Sequence, residues 1–207
     1  NEVPTKIRFY TYKIGATCQL PPRHQVNAGY SGYTDDFTAP KSSYIGMRDR
    51  AGKVVSTIHS RVNIVEPYYF DAFNAGYQFD LDTLGKQLTA DVHLISYRNY
   101  SNSLMETQRY DAHSQEERRD ELRSDQPGFI RVYAYKADVL LPYPWFTLKA
   151  GLKYSLATND NKARFDSLLN GQYVEAPSLS NHFDYREDIS AAYVNVSRSV
   201  RKTTFHA

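Results

Sequence analysis

Apolar side chains at every second position between Phe146 and Leu156 restrict this chain more than any other feature does. Phe146, Leu148, Ala150, Leu152, Tyr154 and Leu156 alternate with Thr147, Lys149, Gly151, Lys153 and Ser155. A helix would scatter a period of two around its whole surface, whereas a strand sends consecutive side chains to opposite faces. The segment therefore predicts a strand with one oily face and one wet face. The same parity runs through Arg8–Leu20, Val26–Tyr30, Phe73–Leu81, Leu88–Leu94 and, more noisily, Phe129–Leu141. Tyr185–Val196 is apolar on either parity, so its buried face stays open at this point.

The connections alternate in length. Pro21-Pro22-Arg23, Asp82–Lys86 and Pro142-Tyr143-Pro144 are short, with Pro and Gly supplying turn conformations. A fourth short turn is expected at Ser199–Lys202. Between them lie long polar stretches, Thr34–Tyr68, Ser101–Pro127 and Thr158–His182, expected as loops. Within these, Val54–Arg61 could prolong a strand. Gln115–Arg123 could form a helical turn or two through its oppositely charged residues, or simply be a solvated loop. Short turns recur about every 60 residues, and alternation of short with long connections along one antiparallel sheet is the pattern of outer-membrane barrels. The expected fold is all-β: an up-and-down meander of about 7 to 8 strands, one section of a transmembrane β-barrel spanning 1–207.

Composition agrees without deciding the matter. The chain is 41% hydrophobic, yet no apolar run approaches the roughly 18 residues of a membrane helix, so any crossing must be made by strands. Tyr is abundant at 18 copies, and it is both a strand former and the residue of interfacial girdles. The 25 basic and 23 acidic residues nearly cancel, which gives no reason to expect nucleic acid as a partner. Cys18 is alone and cannot form an internal disulfide. The chain opens at Asn1 without a basic and apolar leader, and a mature or excised chain is the expectation.

Few residues of the sequence suggest catalytic or metal chemistry. The six His show no HExxH pair, and Gly29-Tyr30-Ser31-Gly32-Tyr33 lies in an alternating strand rather than at a nucleophile elbow. Glu117, Asp120 and Glu121 could suggest a cation site, but Arg118, Arg119 and Arg123 neutralise them. The expectation is no enzyme, no cofactor and no metal. The polar-parity residues Lys13, Asn27, Gln78, Asp91, His93, Lys136, Asp138, Lys149 and Lys153 are the candidates for facing a lumen, in contact with a plug or solute, or forming a charge network that merely keeps the interior wet. Tyr10, Tyr12, Tyr30, Tyr77, Tyr133 and Tyr154 fall on the apolar parity, as a lipid-facing belt would; a sugar-stacking platform is the other reading.

Three phrases carry a resemblance: LDTLGKQLTADV at Leu81–Val92, KADVLLPYPWFTLKAGLKYSLATNDN at Lys136–Asn161, and SNHFDYREDISAAYVNVSR at Ser180–Arg198. Together they resemble the Bacteroidetes outer-membrane β-barrel family of TonB-dependent receptor-like proteins, in which the phrases correspond to strand, short turn, strand, long loop and a strand carrying a pattern similar to that around Tyr185, Glu187, Ala191 and Tyr193. The resemblance implies an internal fragment of a barrel of about 22 strands, cut at both ends, with Phe205-His206-Ala207 opening an eighth strand. It also implies a plug domain in the same parent chain, outer-membrane lipid around the barrel, a TonB-type energy-coupling protein and uptake of a large nutrient. The rival expectation is a small outer-membrane barrel or surface-binding protein with no transport role. An enzyme on a small barrel lacks a catalytic constellation, and a water-soluble calycin-like barrel would need its apolar parity inside and shorter loops.

Overall fold

Almost the whole chain is drawn into strands, with β-branched and aromatic residues frequent along them. The computed structural model describes residues 4–200 and 203–206. The strands are β1 (Lys6–Leu20), β2 (His24–Arg48), β3 (Val54–Asp80), β4 (Gln87–Asp111), β5 (Glu116–Pro142), β6 (Thr147–Leu169), β7 (Gln172–Glu175), β8 (Asn181–Val200) and β9 (Thr203–His206). Neighbours pair antiparallel in the order β1-β2-β3-β4-β5-β6-β8-β9, while β7 pairs with the far end of β6. The expected meander is therefore present. β1 and β9 are its free edges, and the sheet is open. Of the fourth expected short turn, Arg201 and Lys202 lie outside the described residues, as does Ala207; Ser199 and Val200 belong to β8 and pair with Thr204 and Thr203 of β9.

Each strand carries its parity into the next, because the registers hold nearly constant along the pairs. Phe79, Leu88, Val139, Ala150 and Val194 are successive partners across five strands, and so are Tyr77, Ala90, Ala137, Leu152 and Ala192. These rows form one apolar face. On β6 it runs from Leu148 to Leu156, roughly 30 Å of strand, or about 23 Å of height at a tilt of about 40°. An outer-membrane barrel presents a lipid-facing band of about that height. β8, whose face the sequence leaves open, puts Ala192, Val194 and Val196 on the apolar face and Ala191, Tyr193 and Asn195 on the other.

The long polar stretches are not loops. Thr34–Tyr68 and Ser101–Pro127 are paired strand extensions closed by tight turns at 49–53 and 112–115, and Thr158–His182 holds the rest of β6 with the β6–β7 hairpin. Val54–Arg61 does prolong β3. Gln115–Arg123 is neither helix nor loop: from Glu116 it is strand. Its charges sit two apart, and Arg118 meets Asp120 at 2.8 Å while Arg119 meets Glu121 at 3.4 Å and Glu106 of β4 at 3.7 Å. Residues two apart share a face on a strand but not on a helix. The ladder lapses beside Pro67 and Pro127, which cannot donate to it.

Three turns share one design. Asp49, Asp82 and Asp111 each accept, through Oδ1, the N–H groups two and four residues on, and Gly52, Gly85 and Ser114 follow at the third position with φ of 82°, 93° and 64°. The β6–β7 hairpin turns instead through Asn170 (φ 51°) and Gly171 (φ 80°), the left-handed pair of a two-residue hairpin.

No hydrophobic core stands behind this sheet. Ala39 is the one buried hydrophobic side chain among the described residues, while Leu152 is 64% exposed. The chain exposes 14878 Å², against about 9,900 Å² for a water-soluble globular protein of its mass. A single layer has nothing of its own to cover its oily face.

Candidate functional site

The nine polar-parity residues are brought to one face, opposite the apolar rows. Register links Lys13 with Ser31, Asn27 with Gly76, Gly76 with Asp91, Asp91 with Lys136 and Lys136 with Lys153. Gln78, Thr89, Asp138, Gly151 and Tyr193 make the adjoining row. Contact is more selective than face. Lys136, Asp138 and Lys149 meet: Lys136 Nζ lies 2.5 Å and Lys149 Nζ 4.0 Å from Asp138 Oδ2. Gln78 joins a second cluster, in which its amide and that of Gln87 donate to Asp80 Oδ1 at 3.1 and 2.9 Å. Asp91 and Lys153 flank Lys136 in the register, while Lys13, Asn27 and His93 stand apart from both clusters.

Asp138 is the focus of this face. Only 7% of it is exposed, and a buried carboxylate demands compensation. Besides the lysines, the Tyr193 hydroxyl donates to its Oδ1. Gly151 makes the arrangement possible, since a Cβ there would collide with the Asp138 carboxylate and the Tyr193 ring. Tyr193 and Gln87 are absent from the nine sequence candidates. Tyr193 could have been found once β8 was read as apolar at Ala192, Val194 and Val196. Gln87 stands at the end of a turn, where parity gives no guidance.

On the opposite face Tyr12 and Tyr30 donate to Asp71 at 2.6 and 2.5 Å, and Tyr154 donates to Asp188 at 2.7 Å. All three rings lie toward the end of the apolar face remote from the short turns. Tyr77 turns the other way, with its hydroxyl 2.7 Å from His24 Nδ1. Rings over an apolar band with hydroxyls held by polar groups at its margin match a girdle.

One apolar face, one polar face and long hairpins beyond one end are the features of a section of barrel wall. Residues 79–207 match the Outer membrane protein beta-barrel family. The chain belongs to that family. No curated protein matches it. As an outer membrane β-barrel protein it resides in the outer membrane, and the matched residues begin at Phe79, which pairs with Leu88 one position before the last β3–β4 pair, Asp80 with Gln87. Strands β1 to β3 lie before most of the match yet continue its registers without a break in parity. Among the described residues no three His, Cys, Asp or Glu side chains gather as metal ligands would.

Proposed function

We propose that this chain forms wall and outer hairpins of a TonB-dependent receptor-like transporter of the Bacteroidetes type, which imports a large nutrient. The two-faced sheet carries this reading. With its apolar rows in lipid, the face bearing Lys13, Asn27, Gln78, Asp91, His93, Lys136, Asp138, Lys149 and Lys153 lines a hydrated lumen. A lumen wide enough for a large solute needs a plug, and Lys153, Asp91 and Lys13, with no ion pair among the described residues, are free to meet one. The hairpins of β2–β3 and β4–β5 rise well beyond the apolar band and meet a solute first. No chemistry is assigned to the wall itself; binding and passage are its work, with energy supplied from the periplasm by a TonB-type partner.

The test is made in cells with the full-length protein that contains this chain. A photo-crosslinker on its periplasmic side should capture the TonB-type protein, and deleting that protein should abolish the uptake or growth that the receptor confers. If the full-length protein gives its phenotype unchanged without the coupling partner, transport by this route is wrong and a surface-binding barrel takes its place.

A further inference from the structure

The apolar face ends abruptly. Its last row away from the short turns is Phe73, Leu94, Tyr133 and Leu156; two residues further along each strand the partners are Asp71, Ser96, Arg131, Thr158 and, on β8, Arg186. The change from oil to charge takes about 7 Å of strand, and it falls at the end from which the long hairpins rise. In outer-membrane barrels that end faces the outside of the cell, so this row meets the headgroups of the outer leaflet.

Charges along this margin are satisfied unevenly. Arg98 binds Asp71 at 3.0 Å and lies 5.5 Å from the centre of the Tyr69 ring, and Arg186 binds Asp188 at 3.0 Å. Asp160, in the next row out, is held by His182 at 2.7 Å. Arg131 stands between these pairs, exposed, with no carboxylate partner among the described residues. Its cross-strand neighbours are the hydroxyl residues Ser96 and Thr158. Directly beneath it along β5 is Tyr133, on the apolar face.

We infer that Arg131, with the Ser96 and Thr158 hydroxyls, binds the sugar-linked phosphate of an outer-leaflet glycolipid whose acyl chains lie along Leu94, Tyr133 and Leu156. A planar guanidinium between two hydroxyls suits a phosphate oxygen set, and an arginine already holding a carboxylate does not. The lipid is the occupant because the apolar rows run straight into the site, which a free phosphate would not use. The inference rests on the reading that the apolar face meets lipid.

The experiment uses the full-length protein in non-ionic detergent, with lipid A, lipid A stripped of its phosphates and phosphatidylglycerol as probes, and adducts counted by native mass spectrometry. Wild type should retain lipid A over both other lipids. Arg131→Gln should weaken lipid A retention about tenfold or more, as loss of a charged hydrogen bond does, whereas Arg119→Gln, far out on the hairpin, should leave it unchanged. Equal retention of stripped and intact lipid A, or retention indifferent to Arg131→Gln, overturns the inference. Phosphatidylglycerol held as tightly and with the same dependence on Arg131 overturns the choice of glycolipid. A bilayer-depth probe at Leu152 separates the two levels: Leu152 in lipid with no Arg131 effect sinks only this site, whereas Leu152 in water sinks the face assignment beneath it.

Discussion

Leu152 and Lys153 are neighbours in sequence with opposite surroundings. Leu152 lies in the middle of the apolar rows, between Ala137 and Ala192, and Lys153 sits on the polar face opposite Lys136. Leu152→Arg should therefore destabilise the full-length barrel by about 2 to 4 kcal/mol in lipid, the cost of a cation at mid-bilayer depth, while Lys153→Gln should be nearly silent. Denaturant titration of the reconstituted protein measures both, and equal effects would contradict the assignment. Glycines make a second contrast. Gly85 turns with φ of 93°, so Gly85→Ala should cost about 1 kcal/mol. Gly46→Ala in β2, where a Cβ meets nothing closer than 3.9 Å, should cost almost nothing. Parity in the sequence was enough to put all nine polar candidates on one face. It could not say which of them touch, because the Asp138 cluster depends on Tyr193 from a strand of ambiguous parity and on the space left by Gly151.

At the scale of elements, the strands of the apolar band were legible because lipid on one side and water on the other impose a period of two. Beyond the band both faces are wet and that period fades, so the stretches 34–68 and 101–127 look like loops although their backbones stay paired. Two local signals survive there. Opposite charges two apart, as at Arg118 and Asp120, suit a strand, and the Asp-x-x-Gly turn seen at Asp82 is repeated at Asp49 and, with Ser114, at Asp111. The hairpin tip at Asp111 is also a pH-dependent element. Backbone N–H groups of Gln115 and then His113 hold the Asp111 carboxyl below its ordinary value of 3.8. A depressed carboxyl contributes stability above its unfolded pKa and loses it as pH falls through the folded one. Protection of the His113 and Gln115 amides, corrected for intrinsic exchange, should hold from neutral pH to about 4 and fail below that. Failure already near pH 6 would point to a different group.

The molecule as a whole is a wall without a core. Two free edges and an uncovered apolar face invite self-association, because unpaired backbone and exposed hydrocarbon are both templates for a partner. The chain alone in detergent-free buffer should form large, polydisperse assemblies, and light scattering should show them shrink to small particles when micelles are added. A small monodisperse species without detergent would mean that the apolar rows are covered in some other way. Membership in the outer membrane barrel family names the solvent that covers them in the cell, and the most direct test looks at that solvent one residue at a time. Spin labels placed singly from Leu148 to Leu156 of the full-length barrel in bilayers, with Cys18 replaced by Ser, report contact with dissolved oxygen and with a water-soluble nickel complex. Oxygen contact should peak at Leu148, Ala150, Leu152, Tyr154 and Leu156, and nickel contact at Lys149, Gly151, Lys153 and Ser155. The same contact at both sets of positions, or the two peaks exchanged, would contradict the two-faced wall.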